Sequence, residues 1–526
     1  MKNIRIFLLI LLFSPLYLVS QDTTEQQSPD RVFWGPNNKL GSKTSLGKIL
    51  GDDSKSFYML KYIGSGENMQ SFLEQYGLNN LSLANSTSLP LILNKGEEIN
   101  VQASWMVDDF IWIFTTFYNR KSDTLYSYTQ QFNLDGTQRG KRNLIEKIYV
   151  QSKKYLGDYD FQLSVDSSNV LVAYTPPVNK YEFEERKLKM VDINNQVLWS
   201  ETIELSHPSE YFQVLKRIVP DSTHVYILGV AYSNRVNASN KNHVKNTGKY
   251  MLFNYNLGDH TLNEAQLALN GKYITSATME YDKDKNLYVI GLYSRTRSFT
   301  VSGAFYLKLD MKSGVVVEKG FSDFDKDLLR EFISDKKMRN NKELDSFEIR
   351  ELFLDSIGQV TLVAEQYYIT TTTYTDPRTG HVIYTYYYHF NDILIVKFGK
   401  DGRIHWGNRL AKQQQSLDDR GYYSSYAAVA HEDKLFIIYN DNPKNLQYNP
   451  KGGGMTTIWE MDDPQKSVAV FVKYVGEEVH DREILFSAKE AEYIFNPNII
   501  YRIDEKKLIL FAQGWKNYRF VRVWAK

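Results

Sequence analysis

The chain has 526 residues, with 63 Lys+Arg against 62 Asp+Glu for a net charge of +1, 38 Tyr, 28 Phe, 8 Trp and no cysteine. This near-neutral, aromatic-rich composition with 42% hydrophobic residues is that of a globular protein, and it offers no basic field for nucleic acid. The missing cysteines exclude disulfides, a thiol nucleophile, Cys-ligated zinc or iron–sulfur sites and a lipid-modified N-terminal cysteine.

At the start of the chain Lys2 and Arg5 precede the apolar run Ile6 to Val19, which gives way to Ser20, Gln21 and Asp22. This order reads as a signal peptide over 1–20, followed by a flexible stretch over 21–30. A run of 14 residues containing Pro15 is shorter than the roughly 20 that a spanning helix needs. No later segment is apolar enough to span a bilayer, so the expectation is an exported chain without a membrane span after cleavage. The cysteine-free composition points to the periplasm or cell surface of a Gram-negative bacterium.

From residue 31 onward a short run of β-branched and aromatic residues recurs at 57–62, 110–114, 170–174, 225–230, 287–292, 360–364, 435–439 and 508–512, 53 to 75 residues apart. An acidic turn precedes each copy, as at Asp52, Asp108, Asp166, Asp221, Asp282 and Asp355, and a further strand-like run follows. Turn chemistry such as Asp135-Gly136 or Asp401-Gly402 then leads into a fourth run. Four short antiparallel strands per unit predict an all-β chain, a β-propeller of eight blades, or of seven if the first unit is only a cap. The first unit is ambiguous because Phe72 to Tyr76 also suits a turn of helix. The last unit lacks its fourth strand, and Val32, Phe33 and Trp34 are the natural donors, so an N-terminal strand would close the ring on the C-terminal blade. Residues 31–526 therefore read as one domain.

Extra length falls between second and third strands and between units, at 233–249, 318–345, 366–391 and 440–466. In a propeller these loops emerge on one face, and long loops on a rigid scaffold carry function. Segment 318–345 shows helical spacing in Phe324, Leu328 and Phe332, with Ser322 as the expected cap. Segment 366–391 has two Tyr/Thr-rich arms around Asp376 to Gly380 and reads as a projecting β-hairpin. Its Tyr367, Tyr368, Tyr374, Tyr384, Tyr386 and Tyr388, with Tyr448 and Trp459 from the next insertion, are the candidate binding residues. Such rings suit stacking on sugars or contact with protein. Against this stands the reading that half of them pack the hairpin and half are ordinary strand formers.

The stretch Glu365 to Asp376, with Asn391 to Phe398, Trp406, Tyr422 to Tyr426 and Tyr439 to Asn445, resembles a pattern in a widespread group of exported bacterial propeller-like proteins of unassigned function. The resemblance covers mainly the two late units, with Trp34-Gly35-Pro36 a weaker match. It implies a propeller and an envelope location, and it brings no catalytic residues with it.

No catalytic or metal motif stands out. The nine histidines lack ligand spacing, and Gly452 to Gly454 is followed by neither a helix start nor a Lys-Ser/Thr pair. Asp282, Asp284 and Asn286 alternate like a calcium loop but lack its Gly and distal Glu, so a plain turn is the better reading. The expected innermost strands carry Lys216, Arg217, Glu280, Glu348, Arg350, Glu351 and Arg502 toward a channel. The chain thus reads as a binding or scaffold module for an envelope protein or glycan, with no cofactor. The alternative is a polysaccharide hydrolase or lyase centred on the channel, which needs converging carboxylates or histidines.

Overall fold

The computed structural model describes residues 31–525 apart from 93–97, 154–155, 178–182, 209–210, 233–247, 283, 285, 297–299, 311–313, 341 and 449–456. The expected signal peptide over 1–20, the stretch 21–30, Gly452 to Gly454 and most of 233–249 lie outside the described residues. What the sequence repeats, the structure repeats as antiparallel sheets built on four strands each, with a fifth strand added in two of them. Sheet 1 runs from Thr44–Asp52 to Leu83–Leu89, sheet 2 from Ile99–Val107 to Gln138–Tyr149, sheet 3 from Asp158–Leu163 to Val197–Pro208 and sheet 4 from Phe212–Ile218 to Thr261–Gln266. Sheet 5 runs from Tyr273–Tyr281 to Val316–Asp323, sheet 6 from Phe347–Leu354 to Ile404–Leu410 and sheet 7 from Tyr426–His431 to Glu478–Ser487. Sheet 8 takes Ile494–Asp504, Lys507–Gln513 and Asn517–Trp524 from the C-terminal end, and Val32–Trp34 as its fourth strand.

The recurring apolar run is the second strand of each sheet, and burial explains its composition. Phe110 to Thr116 in Phe110–Asn119 are all buried, whereas the outer strand Leu83–Leu89 is largely exposed. A strand covered on both faces reads as a continuous hydrophobic run rather than an alternating one. The cover comes from the neighbouring sheets. Ile111 and Ile113 pack with Tyr58 and Leu60 of sheet 1, while Trp112 and Phe114 pack with Val170 and Val172 of sheet 3. The same sharing continues along the series, and Phe57, Met59 and Tyr76 of sheet 1 join Ile509, Phe511 and Phe520 of sheet 8 in one cluster.

At that junction Glu74, buried, accepts from Lys61 Nζ at 2.7 Å and from Tyr76, whose hydroxyl lies 2.7 Å from that of Tyr518. The N-terminal strand pairs antiparallel with Asn517–Trp524, Val32 opposite Val523, and Asn38–Lys39 continues the pairing opposite Tyr518 and Asn517. Arg519 lies over the Trp34 ring at 5.0 Å, and the Tyr493 hydroxyl donates to Asn37 Oδ1 at 2.9 Å.

The first strands of neighbouring sheets pack against one another. Thr44–Asp52 packs against Ile99–Val107 on one side and Ile494–Asp504 on the other, and Tyr273–Tyr281 packs against Phe212–Ile218 and Phe347–Leu354. Several of these strands carry a register shift at a similar depth, leaving Gln102, Leu215, Thr275 and Arg350 as the extra residues. Such bulges re-aim side chains locally.

Two readings are settled by the structure. Phe72 to Tyr76, which also suited a turn of helix, is strand within Gln70–Gly77, with Leu73 packed toward sheet 2 on one face and Tyr76 toward sheet 8 on the other. In 318–345, Ser322 is not a helix cap but sits in Val316–Asp323, paired with Ala304. The helix Lys326–Phe332 is capped by Asp325, which accepts from Leu328 N at 2.8 Å. Phe324 and Leu328 pack between sheets 5 and 6, a short Asp335–Arg339 helix follows, and Leu344–Asp345 pairs with Thr300–Val301. No helix among the described residues is long and apolar enough to cross a membrane.

Candidate functional site

In sheet 6 the two central strands, Val360–Thr375 and Val382–Phe398, run well past their neighbours and form the hairpin that the Tyr/Thr pattern predicts. Pairing is continuous from Tyr367 opposite Phe390 to Thr375 opposite Val382. The turn is closed by Asp376, whose side chain accepts from Arg378 N at 2.8 Å and whose N–H donates to His381 O at 2.9 Å. Gly380 stands there at φ +69, a conformation that a side chain disfavours.

Because residues directly opposite in an antiparallel pair share a face, Tyr384 and Tyr386 lie with Thr373 and Thr371 on one face, and Tyr374 lies with Ile383 on the other. These are the exposed members of the candidate set, with Tyr374 60%, Tyr384 56% and Tyr386 42% accessible. Tyr367, Tyr368 and Tyr388 are half-buried. Tyr367 packs on Phe390 with ring centroids 4.9 Å apart, and the Arg350 guanidinium lies 4.9 Å from its own ring centroid. Tyr368 stacks on His389 at 4.4 Å, and burial holds His389 below the usual imidazole range. Tyr367 and Tyr368 are thus engaged within the hairpin root.

The second insertion braces the first. Gln414–Leu417 pairs with the second arm from Phe390 to Tyr387, and Met461 bridges Gln414 in turn through Gln415 N to Met461 O at 3.0 Å. Asn445 fixes Trp459 by accepting its N–H at 2.7 Å and donating to its carbonyl at 2.8 Å, while Lys444 covers the half-exposed indole at 3.8 Å. Tyr448 ends a short 3-10 turn, and its hydroxyl accepts from Arg409 Nη1 at 3.5 Å. The structure places Tyr384 and Tyr386 on one face of the hairpin and Tyr374 on the other near its tip, and leaves Tyr448 and Trp459 on the bracing segment.

Beneath the hairpin lies a buried polar network. Lys412, fully buried, donates to Glu365 Oε1 at 2.8 Å, Phe390 O at 2.8 Å and Gln414 Oε1 at 2.9 Å. Ser425 donates to the second Glu365 oxygen at 2.7 Å, and Arg350 Nε lies 3.4 Å from it. Gln414 donates to Asn440 O at 2.6 Å, and Asn440 donates to Tyr423 O and Phe495 O. Asp441 accepts from Asn445 at 2.7 Å and from Arg482 at 3.0 Å. Burial pushes the Lys412 amine down against the pull of Glu365, and pushes the Asp441 carboxyl up against Asn445 and Arg482. With every Lys412 proton placed, the network holds the hairpin root in one arrangement.

Sequence reasoning missed Ile383, Leu417, Tyr422 and Trp515, exposed at 54%, 56%, 43% and 88%. Tyr422 reaches Gln513 with its hydroxyl at 2.9 Å, linking the hairpin brace to the loop that carries Trp515. Trp515 follows Gly514 at a strand turn, a signal present in the sequence; Lys412 carried none.

On the first strands of the sheets, Lys216 pairs with Glu280 at 2.9 Å, Arg350 approaches Glu348 at 3.8 Å, and Arg217 pairs with Asp160. Burial pulls Arg217 down to about 10. Arg502 donates to Ala430 O at 3.0 Å. Burial raises Glu351, while Lys216 of sheet 4, its neighbour Arg350 and Lys48 of sheet 1 pull it back. Asp282 accepts from Asn286 and Tyr288, as a turn aspartate does. Among the described residues there is no group of three or more His, Asp or Glu placed to hold a metal ion.

The sequence matches no family model and no curated protein. Among solved structures it is similar to the WD40 domain of SCAP from fission yeast, at 11% identity and a TM-score of 0.38 over 94% of this chain and 98% of that one. It is similar also to prolyl oligopeptidase B from Galerina marginata, at 9% identity and a TM-score of 0.39 over 92% of this chain and 56% of that one. A third is the Synechocystis apocarotenoid oxygenase, at 10% identity and a TM-score of 0.32 over 68% of this chain and 72% of that one. Likenesses this distant carry neither a site nor an activity over to this chain.

Proposed function

We propose that the eight sheets close into one ring, an eight-bladed β-propeller latched by its two chain ends, and that the chain is an exported envelope module binding a partner through its hairpin face. The supporting observation is the hairpin itself. Tyr374, Ile383, Tyr384 and Tyr386 stand exposed on a braced two-arm extension whose root is fixed by the Lys412 network. Exposed aromatics on a preorganised support are the composition of a binding surface. The aliphatic neighbours Val382, Ile383 and Leu417 favour a protein partner over a glycan, since a sugar ring calls for aromatic platforms edged by hydrogen-bonding groups. Ring closure is supported by the shared cluster and the paired strands between sheets 1 and 8.

The test is affinity capture from detergent-solubilised envelopes, with retained proteins identified by mass spectrometry. Tyr384→Ala with Tyr386→Ala is expected to lower partner retention about tenfold or more, each ring carrying roughly 1 kcal/mol or above. Unchanged retention by the double variant would remove the hairpin from the binding surface.

One observation favours the channel as a second reading: desolvation raises the Glu351 carboxyl on the first strand of sheet 6, where cations from three sheets, Lys216, Arg350 and Lys48, surround it. Polysaccharide cleavage that survives Glu351→Gln would end it.

A further inference from the structure

The hairpin has two edges, and the chain treats them differently. The second arm is covered by Gln414–Leu417, and beyond that strand Asp418 completes the cover, donating its N–H to Tyr386 O at 3.0 Å and accepting from Tyr386 N at 2.9 Å. Among the described residues the first arm has no such cover. Tyr367 N–H donates to Ser346 O at 2.9 Å, away from the second arm, whereas Asp376 N–H donates toward it. Backbone groups alternate sides along a strand. Ile369, Thr371, Thr373 and Thr375 therefore direct both N–H and C=O outward, and among the described residues none of these groups has a hydrogen-bond partner.

Proteins guard such edges with Lys, Pro, a bulge or a covering segment. Among the described residues this one has none: from Tyr367 to Thr375 the register is unbroken and the sequence is Tyr-Tyr-Ile-Thr-Thr-Thr-Thr-Tyr-Thr, uncharged and strand-forming throughout.

We propose that this edge pairs with the same edge of a second copy of the chain, antiparallel about a two-fold axis at Thr372. That register sets Ile369 opposite Thr375 and Thr371 opposite Thr373, so every outward N–H and C=O meets a partner. It sets Thr370 opposite Tyr374 and Thr372 opposite itself, pairs that stabilise a sheet, and it opposes no two charges. Self-complementarity selects a second copy over a foreign strand, because the segment satisfies its own requirements on both faces. The inference concerns the backbone edge and goes beyond the partner reading, which concerns the aromatic rings; it stands or falls without it.

The test is the mass of the chain by sedimentation equilibrium from about 1 to 100 µM, the range expected of a modest interface. The wild type is expected to associate to twice the monomer mass. Thr372→Lys and Thr372→Glu, each placing like charges opposite one another, are each expected to weaken association at least tenfold, and their equimolar mixture to restore it. Thr373→Pro removes one outward donor and no bond to the second arm, and is expected to remain monomeric with a wild-type melting curve. A wild type monomeric throughout, or single-charge variants that pair as well as the wild type, would overturn the proposal. So would a mixture no better than its components. None of these results bears on capture through Tyr384 and Tyr386.

Discussion

Replacing Lys412 by Met removes the cation from the hairpin root while keeping an unbranched side chain of similar length. Gln414 Oε1 keeps the Ser425 N–H at 2.7 Å, so the principal loss falls on Glu365, which is fully buried. Breaking a buried ion pair from one side costs about 3–5 kcal/mol. Glu365 retains Ser425 at 2.7 Å and Arg350 at 3.4 Å, which places this case at the lower end, about 3 kcal/mol.

Unfolding entropy near 2.1 cal/mol/K per residue gives a chain of this size about 1 kcal/mol/K, so the melting temperature should fall by about 3 °C. If the hairpin opens locally, the same cost raises amide exchange about a hundredfold over the second arm and Gln414–Leu417. Native-state hydrogen exchange read beside thermal melting separates the two. Adding Glu365→Leu should restore most of the loss, because removing both charges is close to neutral where removing one is not. A single variant that melts with the wild type and exchanges within about threefold of it would show that Lys412 does not anchor the hairpin root. A double variant worse than the single would show that Glu365 does not depend on the Lys412 cation.

Acid stability offers a further check. Burial alone would raise Asp323, but hydrogen bonds from Arg295, Tyr293 and Lys272 hold it at about 2. A carboxyl whose folded pKa is depressed contributes stability above its unfolded value near 3.8, and that contribution is lost as pH falls toward 2. Asp323→Asn should therefore flatten the fall in melting temperature between about pH 4 and 2; an unchanged slope would assign the acid sensitivity elsewhere. At the junction of sheets 1 and 8, Tyr76→Phe leaves Glu74 with Lys61, the Ser86 hydroxyl at 3.5 Å and a Tyr518 hydroxyl at 3.4 Å. The expected loss is about 1–2 kcal/mol in a denaturant titration, and a midpoint equal to the wild type would show that the hydroxyl is idle there.

Much of the architecture was legible because the second strands, buried on both faces, are short β-branched and aromatic runs bounded by acidic turns and repeated eight times, where any one run alone would also suit a buried helix segment. The N-terminal donor was legible as well, since Val32 to Trp34 is an apolar run with no sheet of its own. Helix capping was not: Asp325 and Ser322 are equally good caps, and only the pairing of Ser322 with Ala304 decides between them. At the candidate site, Tyr/Thr alternation gave the hairpin, but local pattern cannot tell Tyr384 from Tyr367, whose burial depends on Arg350 and Phe390 from elsewhere in the chain. Lys412 lies beyond such reading, because its partners Glu365, Phe390 and Gln414 meet only once sheet 6 has formed. The segments quoted for the resemblance, Glu365, Tyr422 to Tyr426 and Tyr439 to Asn445, do converge on that network.

The pairing of Val32 with Val523 also fixes an order of events. From a disordered chain, joining segments this far apart costs about 5 kcal/mol in loop entropy, a cost that shrinks once the intervening sheets have formed and carried the two ends toward each other. Sheet 8 is thus expected to be the last to assemble, and a chain stopped short of Asn517 cannot assemble it at all. Such a chain would leave Phe57, Met59 and Tyr76 bare along an open seam. Proteases that attack exposed apolar surface could then distinguish a finished molecule from an interrupted one by that seam alone.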